Sequence, residues 1–242
     1  ASTVPPALGH VRRRCRQQSH RARLRRTGPP RRRVTRRRRP QDRQRAALQS
    51  PAAQKMLAFR RKLPAFDARA RLLEAVAANQ VVVVSGETGC GKTTQLPQLV
   101  LDDAIERGEG GATNMIVTQP RRISAVSVAE RIAFERCERV GQSAGYHIRL
   151  EKKASQQTRL LVMTTGILLR RLQLDVDLRD VSHVFVDEVH ERDLDIDFSL
   201  VVVKHLLGKP ETDPEALKFK LVLMSATFNY QLFADYFSKN SV

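Results

Sequence analysis

The sequence has no tryptophan, three cysteines and only 5% aromatic residues among 242 positions. Cys15, Cys90 and Cys137 stand too far apart for a paired-cysteine metal motif or a disulfide framework. That spacing excludes a cysteine-stapled secreted module and points to a reducing compartment. Long apolar runs are missing too. A stretch such as 81–84 is far shorter than the roughly 20 residues a membrane-spanning helix needs, so no membrane partner is expected. The six histidines are scattered without a metal-ligand pair at helical spacing, and no segment repeats at solenoid periods. Acid is scarcest at the start: residues 1–50 hold one acid (Asp42), no lysine and no aromatic residue against 17 arginines.

Charge therefore divides the chain. Residues 51–242 carry 26 basic and 24 acidic groups, so most of the net charge of +18 sits on the first fifty residues. Such a segment buries too little apolar surface to offset its ordering entropy, and residues 1–56 are expected to be a disordered Arg-rich arm. The arginine blocks at 12–14, 31–33 and 36–39 suit a nucleic-acid-binding tail, a nuclear-type basic signal or part of an organelle transit peptide, with a solvated extension as the bland alternative. The expected location is the nucleus or cytoplasm, with the mitochondrion as the reading that the acid-poor start supports.

From residue 57 the composition is that of a globular α/β domain. Apolar runs at 81–84, 115–118, 160–164, 184–186 and 221–224 alternate with helical stretches at 93–107, 123–138, 167–172 and 198–207. Residues 68–78, with Leu72, Leu73 and Val76 at helical spacing, form a further amphipathic helix. Strands buried on both faces and alternating with helices predict a mostly parallel sheet with helices on both sides.

Gly86-Glu87-Thr88-Gly89-Cys90-Gly91-Lys92-Thr93 matches the G-x-x-x-x-G-K-[ST] phosphate loop, between a predicted strand and a predicted helix. The glycines let backbone N–H groups turn inward around a phosphate, and the helix N-terminus adds its dipole. Lys92 is placed to reach the β- and γ-phosphates and Thr93 to sit on Mg²⁺, which predicts binding of a nucleoside triphosphate. Cys90 reads as a small filler. The run Val184-Phe185-Val186-Asp187-Glu188-Val189-His190 is an apolar strand that ends in two carboxylates. Carboxyl ends of parallel strands share one edge, so Asp187 is expected near the phosphate loop, holding Mg²⁺ through water, and Thr93, Asp187 and Glu188 are the candidate metal residues. Glu188, its neighbour in that acidic cluster, is placed to deprotonate the attacking water, so hydrolysis is expected as well as binding.

These residues resemble the DEAH/DExH-box RNA helicases of superfamily 2, in the branch similar to RNA helicase A. Residues 86–94, ending in Thr94, resemble motif I, and Thr118-Gln119-Pro120-Arg121-Arg122-Ile123-Ser124-Ala125 resembles motif Ia. Thr164-Thr165-Gly166-Ile167-Leu168-Leu169 resembles motif Ib, Asp187-Glu188-Val189-His190 motif II, and Ser225-Ala226-Thr227 motif III. Gly145-Tyr146-His147-Ile148-Arg149 and His190-Glu191-Arg192 also look like family segments.

The resemblance implies a RecA-like P-loop NTPase domain over residues 57–242, the first of two helicase motor domains, using ATP and Mg²⁺. It implies that Arg121, Arg122, Thr165 and Gly166 hold an RNA backbone, the last two through hydroxyl and amide donors. It implies that Arg131 stacks on the nucleotide base, although on its own that residue reads as a surface helix position. It further implies that the hydroxyls of Ser225 and Thr227 bond to His190 and couple the nucleotide to the RNA side. The expected partner is RNA, single-stranded or structured, alone or in a ribonucleoprotein. The family also uses a second RecA-like domain with a Gln-Arg-x-x-Arg-x-Gly-Arg-type motif, which this stretch lacks. The expectation is a fragment of a longer helicase, with a truncated, nucleotide-dependent RNA-binding scaffold as the alternative.

Overall fold

The computed structural model describes residues 45–175, 178–208, 219–226 and 230–238. The arginine blocks of the arm and Thr227 lie outside the described residues. Strands β1 (Val81–Ser85), β2 (Met115–Gln119), β3 (Ala144–Ile148), β4 (Glu151–Lys153), β5 (Leu160–Thr164), β6 (His183–Val186) and β7 (Lys220–Ser225) form one sheet in the order β1-β7-β6-β2-β5-β3-β4. The pairings are parallel except β3 with β4, which close one edge as an antiparallel pair.

Alternate strand residues feed two cores, as the period-two geometry of a strand requires. Val117, Val162, Phe185 and Val222 face one layer with α4 (Lys92–Glu106) and α5 (Arg122–Glu135). Their neighbours Ile116, Leu161, Val184 and Leu221 face the other, with α6 (Thr165–Leu174), α7 (Leu194–Gly208) and α8 (Tyr230–Ser238). Strands covered on both faces read as continuous apolar runs, which is why their positions are plain in the sequence. Phe185 is fully buried, and burying such a side chain is worth about 1.5–3 kcal/mol.

The helices refine several sequence expectations. A composition boundary at residue 56 falls inside α1 (Pro51–Arg60), because Ser50 caps its first turn with Oγ accepting from the Ala53 amide at 3.2 Å, and Pro51 occupies N1. Short α2 (Pro64–Asp67) and α3 (Arg69–Ala78) then lead into β1. Helix α5 ends at Glu135 rather than 138, since Cys137 turns into the left-handed region at φ 55°. Helix α7 begins at Leu194 rather than 198, with Asp193 Oδ1 accepting from the Ile196 amide at 2.8 Å and two more acids in its first turn. The β3–β4 pair was not expected as strands.

The parallel order brings the carboxyl ends of β1, β7, β6, β2 and β5 to one edge. The phosphate loop follows Ser85, and Ala226, Asp187, Pro120 and Thr165 follow the other four ends. The loops of five strands thus share one rim, where an open parallel sheet binds its ligands.

Candidate active site

Between β1 and α4 the loop turns on two glycines with positive φ, Gly89 at 83° and Gly91 at 94°. A side chain at Gly91 would be strained by that φ and would also crowd Gln95 and Leu63. Gly86, Glu87, Thr88, Gly89 and Cys90 form the loop, with Cys90 Sγ lying 3.2 Å from where a Cβ on Gly86 would stand. Lys92 opens α4 and points its ammonium back across the loop. It donates to the carbonyls of Gly86 and Glu87, the latter at 2.9 Å. Pro97 within α4 has no N–H, so the Thr93 carbonyl receives no i+4 bond from it.

Thr93 and Asp187, 94 residues apart, meet across the rim. The Thr93 hydroxyl donates to Asp187 Oδ2 at 2.6 Å. The same oxygen accepts from Gln119 Nε2 at 2.6 Å, and Oδ1 accepts from the Glu188 amide at 2.9 Å. Asp187 is almost fully buried, so three donors holding its carboxylate offset the cost of desolvating a charge. Gln119 is a site residue that sequence reasoning quoted only as part of a motif. Its signal was its place at the end of a parallel strand next to the one carrying Asp187.

Glu188 occupies the left-handed region at φ 55°, ψ 35°, and Arg192 does so at φ 51° on the other side of a 3₁₀ turn, Val189–Glu191. Non-glycine residues held there cost about 1–3 kcal/mol each and collect at functional sites. The turn bends Glu188 away from the line of β6 into the cleft lined by Thr88, Gly89, Lys92, Thr93 and Arg131. Burial, and then the neighbouring Asp187 carboxylate, push the Glu188 carboxyl above the usual glutamate range, against the opposing pull of His190. His190 Nδ1 lies 3.4 Å from Glu188 Oε2 and 3.4 Å from the Ala226 amide. From the end of β7 the Ala226 amide, next to Ser225, reaches His190. Ser225 itself is buried, and its carbonyl accepts from the Gly86 amide at 3.2 Å.

Arg131 reaches the same cleft from α5. Its Nε donates to Glu135 Oε1 at 2.6 Å, and its guanidinium lies 6.0 Å from the Phe59 ring. What reads in sequence as a surface helix residue is thus held in place. Thr94 belongs to the same corner, its hydroxyl accepting from Gln95 Nε2 at 2.9 Å.

The candidate nucleic-acid groups lie along the rim beyond β2 and β5, whose ends pair Gln119 with Thr164. Arg121 is extended at the cap position of α5 and Arg122 is its first helical residue. Arg121 pairs with Glu191 at 3.2 Å, a partner that the sequence did not reveal, and Arg122 donates to the Arg149 carbonyl at 3.4 Å. The Gly166 backbone is open at the start of α6. Thr165 is the exception: its side chain is buried at 2% exposure and Oγ1 has no hydrogen-bond partner among the described residues. The expectation of an exposed Thr165 hydroxyl is corrected, because the first turn of α6 folds that side chain inward.

The residues present fit a magnesium-bound triphosphate. A hydroxyl and a carboxylate in contact at the mouth of a phosphate loop are hard oxygen donors of the kind Mg²⁺ shares with substrate phosphates. No cluster of three or more His, Cys, Asp or Glu side chains suited to a metal occurs among the described residues. No helix among them is long and apolar enough to cross a membrane.

A strand, a phosphate loop, a helix and a strand-end carboxylate bonded to the loop's threonine define a RecA-like α/β domain of the P-loop class. Within that class the chain belongs to the DEAD/DEAH box helicase family, which matches residues 67–234. It is 56% identical over 173 residues to the DExH-box ATP-dependent RNA helicase DExH3 of Arabidopsis thaliana, covering 72% of this chain and 14% of that protein. It is 52% identical over 174 residues to human putative ATP-dependent RNA helicase DHX57, covering 72% and 12%. With the human ATP-dependent DNA/RNA helicase DHX36 the identity is 48% over 176 residues, covering 72% and 17%. The chain thus spans well under a fifth of the length of these relatives.

Proposed function

We propose that this chain is the first motor domain of an ATP-dependent RNA helicase that hydrolyses ATP with Mg²⁺ to remodel RNA or ribonucleoprotein, together with a second RecA-like domain elsewhere in the protein. The observation that carries the reading is the 2.6 Å bond from Thr93 to Asp187, which joins the phosphate loop to the strand-end acids. Lys92 holds β- and γ-phosphate oxygens, exchanging its loop carbonyls for them. Thr93 and Asp187 hold the metal, with Glu188 beside them and Gln119 fixing the Asp187 carboxylate. When bound, Mg²⁺ supplies positive charge to the phosphate oxygens.

Glu188 is the general base. Its raised affinity for a proton suits a group that must take one from water as the water oxygen attacks the γ-phosphorus. The bond from that phosphorus to the bridging oxygen breaks, ADP leaves with the electron pair, and the proton rests on Glu188. His190, in reach of both Glu188 and the Ala226 amide, couples this step to the rim. There Arg121, Arg122 and the backbone amides of Thr165 and Gly166 hold the RNA backbone. The names of the relatives support RNA as the substrate, and the arm supports a nuclear, cytoplasmic or mitochondrial location.

The test is calorimetric titration of this chain with Mg·ATP, beside Lys92→Ala. Wild type is expected to bind and the variant to lose binding. Equal binding by both overturns the assignment of the site.

A further inference from the structure

Arg60 stands at the end of α1, outside the residues that the family match covers, and it is a buried charge with 3% exposure. Its guanidinium is spread over two residues of α4, Gln95 and Asp102. Nε donates to Gln95 Oε1 at 2.8 Å, and Nη1 and Nη2 reach Asp102 Oδ2 at 3.3 and 3.4 Å. The first of these partners leads directly to the cleft. Gln95 Nε2 donates to Thr94 Oγ1 at 2.9 Å and to Glu135 Oε2 at 2.8 Å. Glu135, itself 1% exposed, is the carboxylate that holds Arg131 at 2.6 Å, and it lies 3.9 Å from Arg60 Nε. A continuous chain of bonds therefore runs from Arg60 through Gln95 and Glu135, all three buried, to the exposed Arg131.

The residues after Arg60 brace the loop itself. The Ala65 amide donates to the Cys90 carbonyl at 3.0 Å, and the Leu63 and Ala65 side chains lie 3.5 and 3.6 Å from where a Cβ on Gly91 would stand. The ring of Phe59, next to Arg60, lies 6.0 Å from the Arg131 guanidinium. Buried networks of this kind favour one arrangement of their members; Gln98 also donates to Glu135 Oε2 at 2.8 Å, while its own Oε1 has no partner among the described residues. Arg131 and Lys92 border one cleft, and Arg131 is the one of the two that Glu135 holds.

We infer that Arg60 is a positioning residue for the nucleotide site, setting Arg131 through Gln95 and Glu135 so that it engages the part of a nucleotide beyond its phosphates. The inference rests on the nucleotide-binding reading above. A planar cation held by one carboxylate oxygen keeps its face for a flat aromatic ligand, which a base supplies and a bare polyphosphate does not. Segment 59–65 is then a wall of the nucleotide site.

The test uses the whole chain and two probes, Mg·ATP and inorganic triphosphate, with Arg60→Met, Arg60→Lys, Arg131→Ala and Lys92→Ala. Arg60→Met is expected to weaken ATP about tenfold, as coupled neighbours do, and to leave triphosphate binding unchanged. In the Arg131→Ala background the same substitution should have almost no further effect on ATP. Arg60→Lys keeps the buried charge but loses the fork, so it should lie between wild type and Arg60→Met. Equal weakening of ATP and triphosphate, or additivity with Arg131→Ala, overturns the assignment and leaves a structural brace. If Arg60→Met does not fold, Arg60→Lys decides: ATP affinity equal to wild type overturns the inference. Wild type that binds neither probe, or Lys92→Ala that binds both, overturns the functional reading instead.

Discussion

Asp102 offers a test of the buried charge cluster whose size can be worked out from the structure. Its Oδ1 accepts from Arg136 Nη1 at 2.6 Å and its Oδ2 faces Arg60 at 3.3 Å. Both guanidinium side chains are at most 3% exposed. Asp102→Ala leaves two buried cations with one carboxylate fewer, and breaking a buried pair in this way costs about 3–5 kcal/mol. A domain of this length loses about 2–4 °C of Tm per kcal/mol, so a fall of about 6–20 °C is expected. Glu106→Ala is the control, because its pair with Arg69 at 3.4 Å leaves the two side chains 62% and 36% exposed. Solvent-screened pairs contribute about 0–1 kcal/mol, which limits the shift to a few degrees. Thermal unfolding followed by circular dichroism, on matched samples at one pH, measures both. If Asp102→Ala melts no lower than Glu106→Ala, α1 is not held on the domain by these charges, and the brace assigned to Arg60 loses its foundation.

Gln119→Leu removes one donor from the buried Asp187 carboxylate, a bond of the charged class worth about 1.5–3 kcal/mol. Hydrolysis of ATP by the longer protein should fall about 10- to 100-fold with a shifted Mg²⁺ dependence. An unchanged Mg²⁺ titration would show that Gln119 does not place Asp187. Deleting residues 1–44 removes sixteen arginines and one acid. RNA affinity should then fall for all sequences alike and its salt dependence should flatten, since each neutralised phosphate contributes about 0.7 to the log–log slope on single strands. A slope that survives the deletion assigns the arm to something other than RNA.

Much of this site was legible because its parts carry local signals. The phosphate loop is a contiguous pattern, and β1, β2, β5, β6 and β7 are apolar runs that only a doubly covered sheet can hold. Their shared edge then puts Asp187 near the phosphate loop, and its bond to Thr93 is what the structure adds. What escaped has no local signal. In β3 the order Ala144-Gly145-Tyr146-His147-Ile148 mixes small, aromatic and polar residues. A side chain at Gly145 would run into the Lys153 carbonyl, a constraint visible only once the hairpin is formed. Glu135 and Gln95 look like ordinary polar helix positions, and the Arg60–Gln95 and Gln95–Glu135 bonds link positions 35 and 40 residues apart in the chain. One clue was present: Gln95, Gln98 and Asp102 fall among the apolar residues of α4, all of them buried, so the inner face of that helix carries polar groups that need partners. Thr165 failed in the other direction, since a hydroxyl in a motif says nothing about which way the first turn of its helix points it.

The most direct test of the central claim is the rate of ATP hydrolysis by the longer protein carrying this domain, for wild type and Glu188→Gln, across pH and with RNA present. Burial and Asp187 raise the Glu188 proton affinity, and the base works only when deprotonated. The wild-type rate should therefore rise with pH along a limb that lies above the ordinary glutamate range. Glu188→Gln should lower the rate by about 10²–10⁴, the size of a general-base contribution, remove that limb, and leave ATP affinity nearly unchanged. Hydrolysis by Glu188→Gln at the wild-type rate, with the same pH limb, would contradict the role given to Glu188 and leave a nucleotide-gated RNA-binding scaffold as the better account.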